Sequence, residues 1–253
     1  MSKIVLDARR LNKSYASNGL QNHVLIGIDL SIHAGDFTVM MGPSGSGKST
    51  LLYCLSGMEK VTDGHVYFKT KDITSFTETE LGRLRRDDFG FVFQQIHLVG
   101  SLSLFENVAV AGYLKPESSA KKVRENVTKL LDLVHLSDAK HRLPSQVSGG
   151  EQQRAAVARA LINEPAVLFA DEPTGQLNQK NSDAVLDLLT RVHANGQTVV
   201  MVTHDRQAAL RGNRILYLID GKVVGELTLP PYSEERFKDR EIQLTSWLSS
   251  LSW

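Results

Sequence analysis

The run Gly42-Pro43-Ser44-Gly45-Ser46-Gly47-Lys48-Ser49 limits most narrowly what this chain can become. It follows the spacing Gly, four residues, Gly, Lys, Ser or Thr, in which a glycine-rich turn opens a helix and cradles phosphate. The setting agrees: Phe37 to Met41 is a mostly apolar, strand-like run, and Thr50-Leu51-Leu52 continues as a helix. Glycines let successive backbone N–H groups turn inward, where a side chain would collide with the phosphates. The helix start adds positive potential, Lys48 reaches the β- and γ-phosphates, and the Ser49 hydroxyl ligates Mg2+. A nucleoside-triphosphate site formed by Gly42, Ser44, Gly45, Ser46, Gly47, Lys48, Ser49 and Thr50 is therefore expected.

A second apolar run, Ala166 to Ala170, delivers Asp171-Glu172, with Asp171 placed 123 residues after Lys48. An acid at a strand end can hold Mg2+ from the side opposite Ser49. Glu172, one residue further, is placed to polarise a water for in-line attack on the γ-phosphate. A third run, Thr198 to Thr203, ends at His204-Asp205. A histidine at a strand end is often structural, but beside the other motifs it reads as part of the site. Guanine specificity is unsupported, because Asn12-Lys13, the one Asn-Lys pair, is followed by Ser14-Tyr15 and not by the x-Asp of an Asn-Lys-x-Asp motif. On the phosphate loop alone, small-molecule kinases remain open.

Composition narrows the setting. With 253 residues, 42% hydrophobic and 23% charged, the chain has ordinary globular usage and needs no disulfide to hold a core. Its formal charge of +1, from 29 basic and 28 acidic residues, argues against nucleic acid as the main partner. A single cysteine, Cys54, suits a reducing compartment and reads as a small buried residue on the helix after the loop. The longest stretch without Asp, Glu, Lys or Arg, Phe89 to Phe105, carries Gln94, Gln95 and His97, so no membrane-spanning helix is expected. Met1 to Arg10 lacks the apolar run of a secretory leader. The chain is expected on the cytoplasmic side.

Strand-like and helical patterns alternate. Strands are expected at Val24 to Ile32, Phe37 to Met41, Val66 to Phe68, Phe89 to Phe93, Val167 to Ala170, Thr198 to Val202 and Ile215 to Ile219. Several are apolar on both faces, as in strands covered by helices on each side. Helices are expected at Lys48 to Ser56, Glu78 to Arg86, Ala120 to Val134, Glu151 to Ile162, Lys180 to Ala194 and Arg206 to Leu210. Residues from about 95 to 163 show no strand pattern and read as a helical insertion. After Pro230-Pro231, the segment 231–253 carries Phe237, Leu244, Leu248 and Leu251 at helical spacing, with Trp247 and Trp253 nearby. An amphipathic helix is expected there, packed on its own domain or docking a partner.

Val147-Ser148-Gly149-Gly150-Glu151-Gln152-Gln153-Arg154 opens the helix that runs to Ile162. This run resembles the signature sequence of ABC-type ATPases, and the family's other motifs are present in order. Tyr15 matches the aromatic residue that stacks on adenine, and Gln94, after Phe91-Val92-Phe93, matches the Q-loop glutamine. Asp171-Glu172-Pro173-Thr174 matches the second Walker motif with its catalytic glutamate, and His204 the switch histidine. The resemblance covers about residues 3 to 227.

What the resemblance implies is an α/β fold: a P-loop NTPase core with a mixed sheet, an N-terminal antiparallel β subdomain and an inserted α-helical subdomain. The ATPase domain would span residues 1–230, with the helical subdomain at about 95–163 and a helical extension at 231–253. ATP and Mg2+ are the implied cofactors. Lys48, Gln94, Glu172 and His204 take the catalytic roles, and Ser49, Gln94 and Asp171 surround the metal. The family sandwiches two ATPs in a head-to-tail dimer, so Ser148, Gly149, Gly150 and Glu151 would cap the nucleotide held by the other copy. Such a dimer drives an integral membrane permease from the cytoplasmic face, and Ile96 to Leu114 has the apolar content of a groove that receives a permease helix.

Gly90 to Gln94, Leu104 to Val108, Ala170 to Gly175 and Val202 to Asp205 look like the branch serving macrolide export, lipoprotein release and antimicrobial-peptide detoxification. That branch pairs with permeases having a large extracellular region. The tail Glu226 to Trp253 is similar to extensions on Gram-positive members linked to peptide resistance. Two other classes compare with this one: soluble ABC ATPases of DNA repair or ribosomes, whose tandem cassettes or long coiled-coil insertions do not occur in this sequence, and a regulatory module controlling a cell-wall enzyme or sensor kinase without transport, which would use the same motor. Three departures stand out. Val147 and Glu151 replace the usual Leu and Gln, and Asn178 stands where the loop between the two sites usually carries Asp.

Overall fold

The computed structural model describes residues 3–17 and 20–251; Trp253, named above with the tail, lies outside them. The chain opens with two long strands, β1 (Ile4–Ser17) and β2 (Leu20–His33), then β3 (Phe37–Met41), α1 (Lys48–Leu55), β4 (Asp63–Phe68), β5 (Lys71–Asp72), α2 (Glu78–Asp87) and β6 (Phe89–Val92). Helices α3 (Leu104–Tyr113), α4 (Ala120–Leu133) and α5 (Gly149–Leu161) follow, with no strand between β6 and β7 (Val167–Asp171) among the described residues. The chain closes with α6 (Gln179–Ala194), β8 (Thr198–Val202), α7 (Arg206–Ala209), β9 (Arg214–Ile219), β10 (Lys222–Thr228) and α8 (Phe237–Ser250).

Two sheets form. One, in the order β2-β1-β4-β5, is antiparallel throughout. The other, β10-β9-β3-β8-β7-β6, is parallel except for its β10 edge, which makes it mixed, as expected. Alternation along its strands separates two cores. Val39, Leu168, Ala170, Val199, Met201, Ile215 and Tyr217 face helices α3 to α8. Met40, Val167, Phe169, Val200, Val202, Leu216 and Leu218 face α1, α2 and the antiparallel sheet. Strands buried on both faces explain the near-continuous apolar runs in the sequence.

Two strands were not anticipated, β1 and β10, along with the short β5. The C-terminal helix packs on its own chain: Leu244 and Leu248 are buried, Phe237 and Leu251 lean on the same core, and Trp247 meets Tyr217 edge-on at 6.3 Å. Cys54 is buried, and burial pushes its thiol up to about 12.

Candidate nucleotide-binding site

The phosphate loop leaves the end of β3 at the centre of the mixed sheet and enters α1. Gly42 has φ 149°, and a Cβ there would lie 2.1 Å from the Leu218 carbonyl oxygen. Gly47 has φ 96°, and its Cβ would meet the Val24 carbonyl oxygen at 2.8 Å. Both positions therefore demand glycine for backbone reasons, before any ligand is considered. Ser44 and Gly45 are exposed, and Thr50 is half-buried.

The loop shows groups that an anion would satisfy. The Ser46 Oγ is buried and has no hydrogen-bond partner among the described residues. The Lys48 ammonium is buried and donates to the carbonyl oxygens of Gly42 at 2.9 Å and Pro43 at 2.8 Å. Burial lowers its pKa, opposed by Glu172 and Asp171, so a nearby negative charge favours its protonated form. Phosphate fits this turn.

β7 brings the acids to the same place. The Ser49 hydroxyl donates to Asp171 Oδ1 at 2.8 Å, and the Tyr53 phenol donates to Asp171 Oδ2 at 2.5 Å. Burial, then the bond to Asp171, raises the Tyr53 pKa, which keeps the phenol a donor. Among the described residues no cluster of three or more His, Cys, Asp or Glu could enclose a metal. A cation here would be held by Ser49 and Asp171 with phosphate oxygens, the way Mg2+ is commonly bound beside nucleotides. Glu172 follows with φ 47°, its N–H donating to the Val202 carbonyl at 3.0 Å and its carbonyl accepting from Gly175 at 3.0 Å. Its Oε1 lies 2.9 Å from His204 Nδ1, which brings β7 and β8 chemistry together.

Gln94 is exposed just past β6, its amide against Gly175, where a Cβ would approach Nε2 to 2.9 Å. Gln153 was not singled out in the sequence. It is buried on α5 and donates to the carbonyls of Phe93 at 3.0 Å and Pro173 at 2.8 Å, joining the Gln94 segment to the Asp171-Glu172 segment. Arg159, near the end of the helix expected to close at Ile162, is a second such residue; it donates to the His97 and Ile96 carbonyls at 2.6 and 3.0 Å. Neither partner is visible from sequence spacing, because each pairing crosses tens of residues.

Tyr15 is 41% exposed on β1, with the Lys13 ammonium 4.6 Å from its ring. Lys13 pairs across the ribbon with Leu25, which packs against Gly47, so this end of the ribbon borders the loop. Ser148 stands apart. It caps α5 in a closed box: its hydroxyl accepts from the Glu151 N–H at 3.3 Å and donates to Glu151 Oε2 at 2.7 Å. A glutamate serves this box as well as the usual glutamine, and the Ser148 bonds hold its carboxyl below the ordinary range. Among the described residues, no hydrogen bond or ion pair joins Ser148, Gly149, Gly150 or Glu151 to residues 42–50.

A profile of the ABC transporter family matches residues 25–175. The lipoprotein-releasing system ATP-binding protein LolD of Aquifex aeolicus is 46% identical over 205 residues, 81% of this chain and 91% of LolD. The macrolide export ATP-binding/permease protein MacB of Hyphomonas neptunium is 36% identical over 226 residues, which span 89% of this chain and 35% of MacB. The dimeric post-hydrolysis structure of the ATP-binding cassette MJ0796 bound to ADP and Pi aligns with a TM-score of 0.82 at 37% identity, over 90% of this chain and all of that one.

Proposed function

The chain belongs to the ABC transporter family as an ATP-hydrolysing subunit, and from that premise we propose that two copies close head to tail on ATP to drive a membrane permease. Its relatives stand in the lipoprotein-release and macrolide-export branch that the shorter motifs resemble. One observation carries the reading: among the described residues, no hydrogen bond or ion pair joins the exposed start of α5, with Ser148 and Gly149, to the phosphate loop of its own chain. A γ-phosphate has several charged faces, and one loop covers only some of them.

In this reading Lys48 and the loop amides bind the phosphates, and Tyr15 stacks on adenine. Ser49, Asp171 and Gln94 would hold Mg2+, which would supply positive charge against the phosphates. Glu172 takes the proton of the attacking water, and His204, at 2.9 Å, orients it and faces the γ-phosphate. Ser148, Gly149 and Gly150 of the other copy add the missing donors, so loss of the γ-phosphate releases the two chains.

The permease docks on the helical insertion. A groove of 680 Å³ there is lined by Phe105, Ala109, Val110 and Tyr113, and Val99 and Leu114 are also exposed. The half-buried Phe105 and the exposed Val110 and Tyr113 would give a partner helix apolar contacts, beside the polar Glu106, Arg124 and Lys140 that share the groove. Among the described residues no helix is long and apolar enough to cross a membrane. In this reading the chain attaches to the cytoplasmic face through that partner, as a subunit of an ABC transporter. A permease with a large extracellular domain, exporting or removing an antimicrobial peptide, drug or lipid-linked substrate, fits the branch. We assign the motor to residues 1–230, its helical subdomain to about 95–163, and a bracing extension to 231–253.

The test is concentration and Ser148. ATP turnover per chain should rise with protein concentration, and Ser148→Arg should lower it by about 10²-fold, the scale of one lost transition-state donor. Full turnover by a strictly monomeric preparation, or a harmless Ser148→Arg, would refute the composite site.

Asn178 offers a finer test. Its Oδ1 caps α6 by accepting from the Asn181 N–H at 3.0 Å, and Asn181 packs on Gly150 at the start of α5. Asp caps as well as Asn, so Asn178→Asp should preserve the fold while restoring the charge usual in this loop. We expect ATPase cooperativity to strengthen, with coupling changed about fivefold, the low end for linked sites. An unchanged rate and Hill coefficient would count against this.

A further inference from the structure

Tyr53 carries no role in the readings above, yet its phenol reaches the centre of the site. On α1, Ser49 and Tyr53 are four residues apart and so share one face of the helix. That face grips a single carboxylate by both oxygens: Ser49 Oγ donates to Asp171 Oδ1 at 2.8 Å, and Tyr53 OH donates to Oδ2 at 2.5 Å. We propose that Tyr53 is a positioning residue for ATP hydrolysis, fixing the Asp171 carboxylate so that the oxygen on the Ser49 side faces the metal site.

The physical case starts from rotation. The terminal torsion of an aspartate is broad and nearly two-fold, so the carboxylate of a buried Asp can turn unless both oxygens are engaged. When the Ser49 oxygen gives a lone pair to a cation, its proton still needs an acceptor on the same side. A carboxylate free to turn would lose that alignment for part of the time. The Tyr53 bond is a short O–H to carboxylate contact, the stronger class of hydrogen bond. The Tyr53 main chain is also fixed, because its carbonyl accepts from the N–H groups of Met58 at 2.9 Å and Glu59 at 3.0 Å. The phenol therefore acts on Asp171 from a rigid base. This inference rests on reading Ser49 and Asp171 as metal-holding groups, and its test separates the two claims.

The experiment uses the full chain as wild type, Tyr53→Phe, Tyr53→Met and Asp171→Asn. Binding of ADP is measured without divalent metal, and Mn2+ binding to the ADP complex is followed by the free-Mn2+ EPR signal. Tyr53→Phe and Tyr53→Met should bind metal-free ADP like wild type and need about tenfold more Mn2+ for half-saturation, the lower range for a lost partner behind a metal ligand. ATPase should show a raised requirement for Mg2+, with kcat at saturating Mg2+ reduced by less than about threefold. Wild-type Mn2+ titrations in both Tyr53 variants, with Asp171→Asn shifted, would overturn the proposal and leave the metal reading standing. An unshifted Asp171→Asn would overturn the metal reading itself. Loss of metal-free ADP binding in both Tyr53 variants would make the phenol a structural support and also overturn the proposal.

Discussion

Glu172→Gln should lower ATP turnover by at least about 10²-fold, the smaller end of what a positioned base contributes, while ATP affinity stays within about threefold. The substitution keeps the size and shape of the side chain and removes the group able to take a proton. The position is held from several directions. Its N–H is bonded to Val202, its carbonyl to Gly175, and its side chain, 17% exposed, lies against His204. Its φ of 47° is a left-handed conformation that a non-glycine residue adopts at a cost of about 1 kcal/mol or more. Surrounding structure thus forces the carboxylate to the strand end, and glutamine will be forced there equally. With binding intact and turnover lost, ATP should hold two chains together. Light scattering of the variant with ATP and Mg2+ should report the dimer mass, falling to the monomer when ADP replaces ATP. Rapid turnover by the variant would remove Glu172 from the role of base.

The parts of this site that were legible in the sequence are those where backbone geometry dictates residue type. Gly42 and Gly47 stand where a Cβ would strike main-chain carbonyls, and the Asp171-Glu172 pair ends a strand buried on both faces. The unread strands failed for a physical reason. β1 buries both Val5 and Leu6, then Ala8 and Leu11, because register shifts between Ile4 and Leu6 and between Ala8 and Leu11 break the two-residue period. Arg10 sits within the second of these with φ 46°. β10 is an edge strand with no buried side chain from Lys222 onward, so it has no apolar run to notice. Tyr53 and Gln153 were hidden differently. Their partners lie 118 residues away for Tyr53, and 60 and 20 away for Gln153, and no local spacing announces such pairings.

Arg240 was readable in principle, and it carries the largest expected effect on stability. It lies three residues after Phe237 and four before Leu244, on the apolar stripe of α8, where a charge calls for a buried partner. The structure supplies carbonyl oxygens in place of a carboxylate. Arg240, 0% exposed, donates through Nε at 3.0 Å and Nη2 at 2.7 Å to Leu210, and further to Gly212 and Pro230. The Tyr232 ring lies 5.6 Å from the guanidinium carbon. Burial works against the charge and lowers its pKa, so the net value of the arginine depends on those acceptors. Replacing a buried ion pair with apolar side chains is often neutral, because both charges leave together. Here only the donor would leave. Arg240→Met fills much of the volume but strands carbonyls at the end of α7 and at Pro230, each costly when buried without a partner. The expected loss is about 3 kcal/mol, combining charge-assisted bonds with stranded acceptors, and a Tm lower by about 6–12 °C for a chain of this size. Arg240→Lys should fall between, since one ammonium cannot span the acceptors that the guanidinium fork reaches. Thermal unfolding of the two variants checks this. A Met variant within about 0.5 kcal/mol of wild type, the range of ordinary surface changes, would mean that apolar packing of Leu244 and Leu248 alone holds α8 in place.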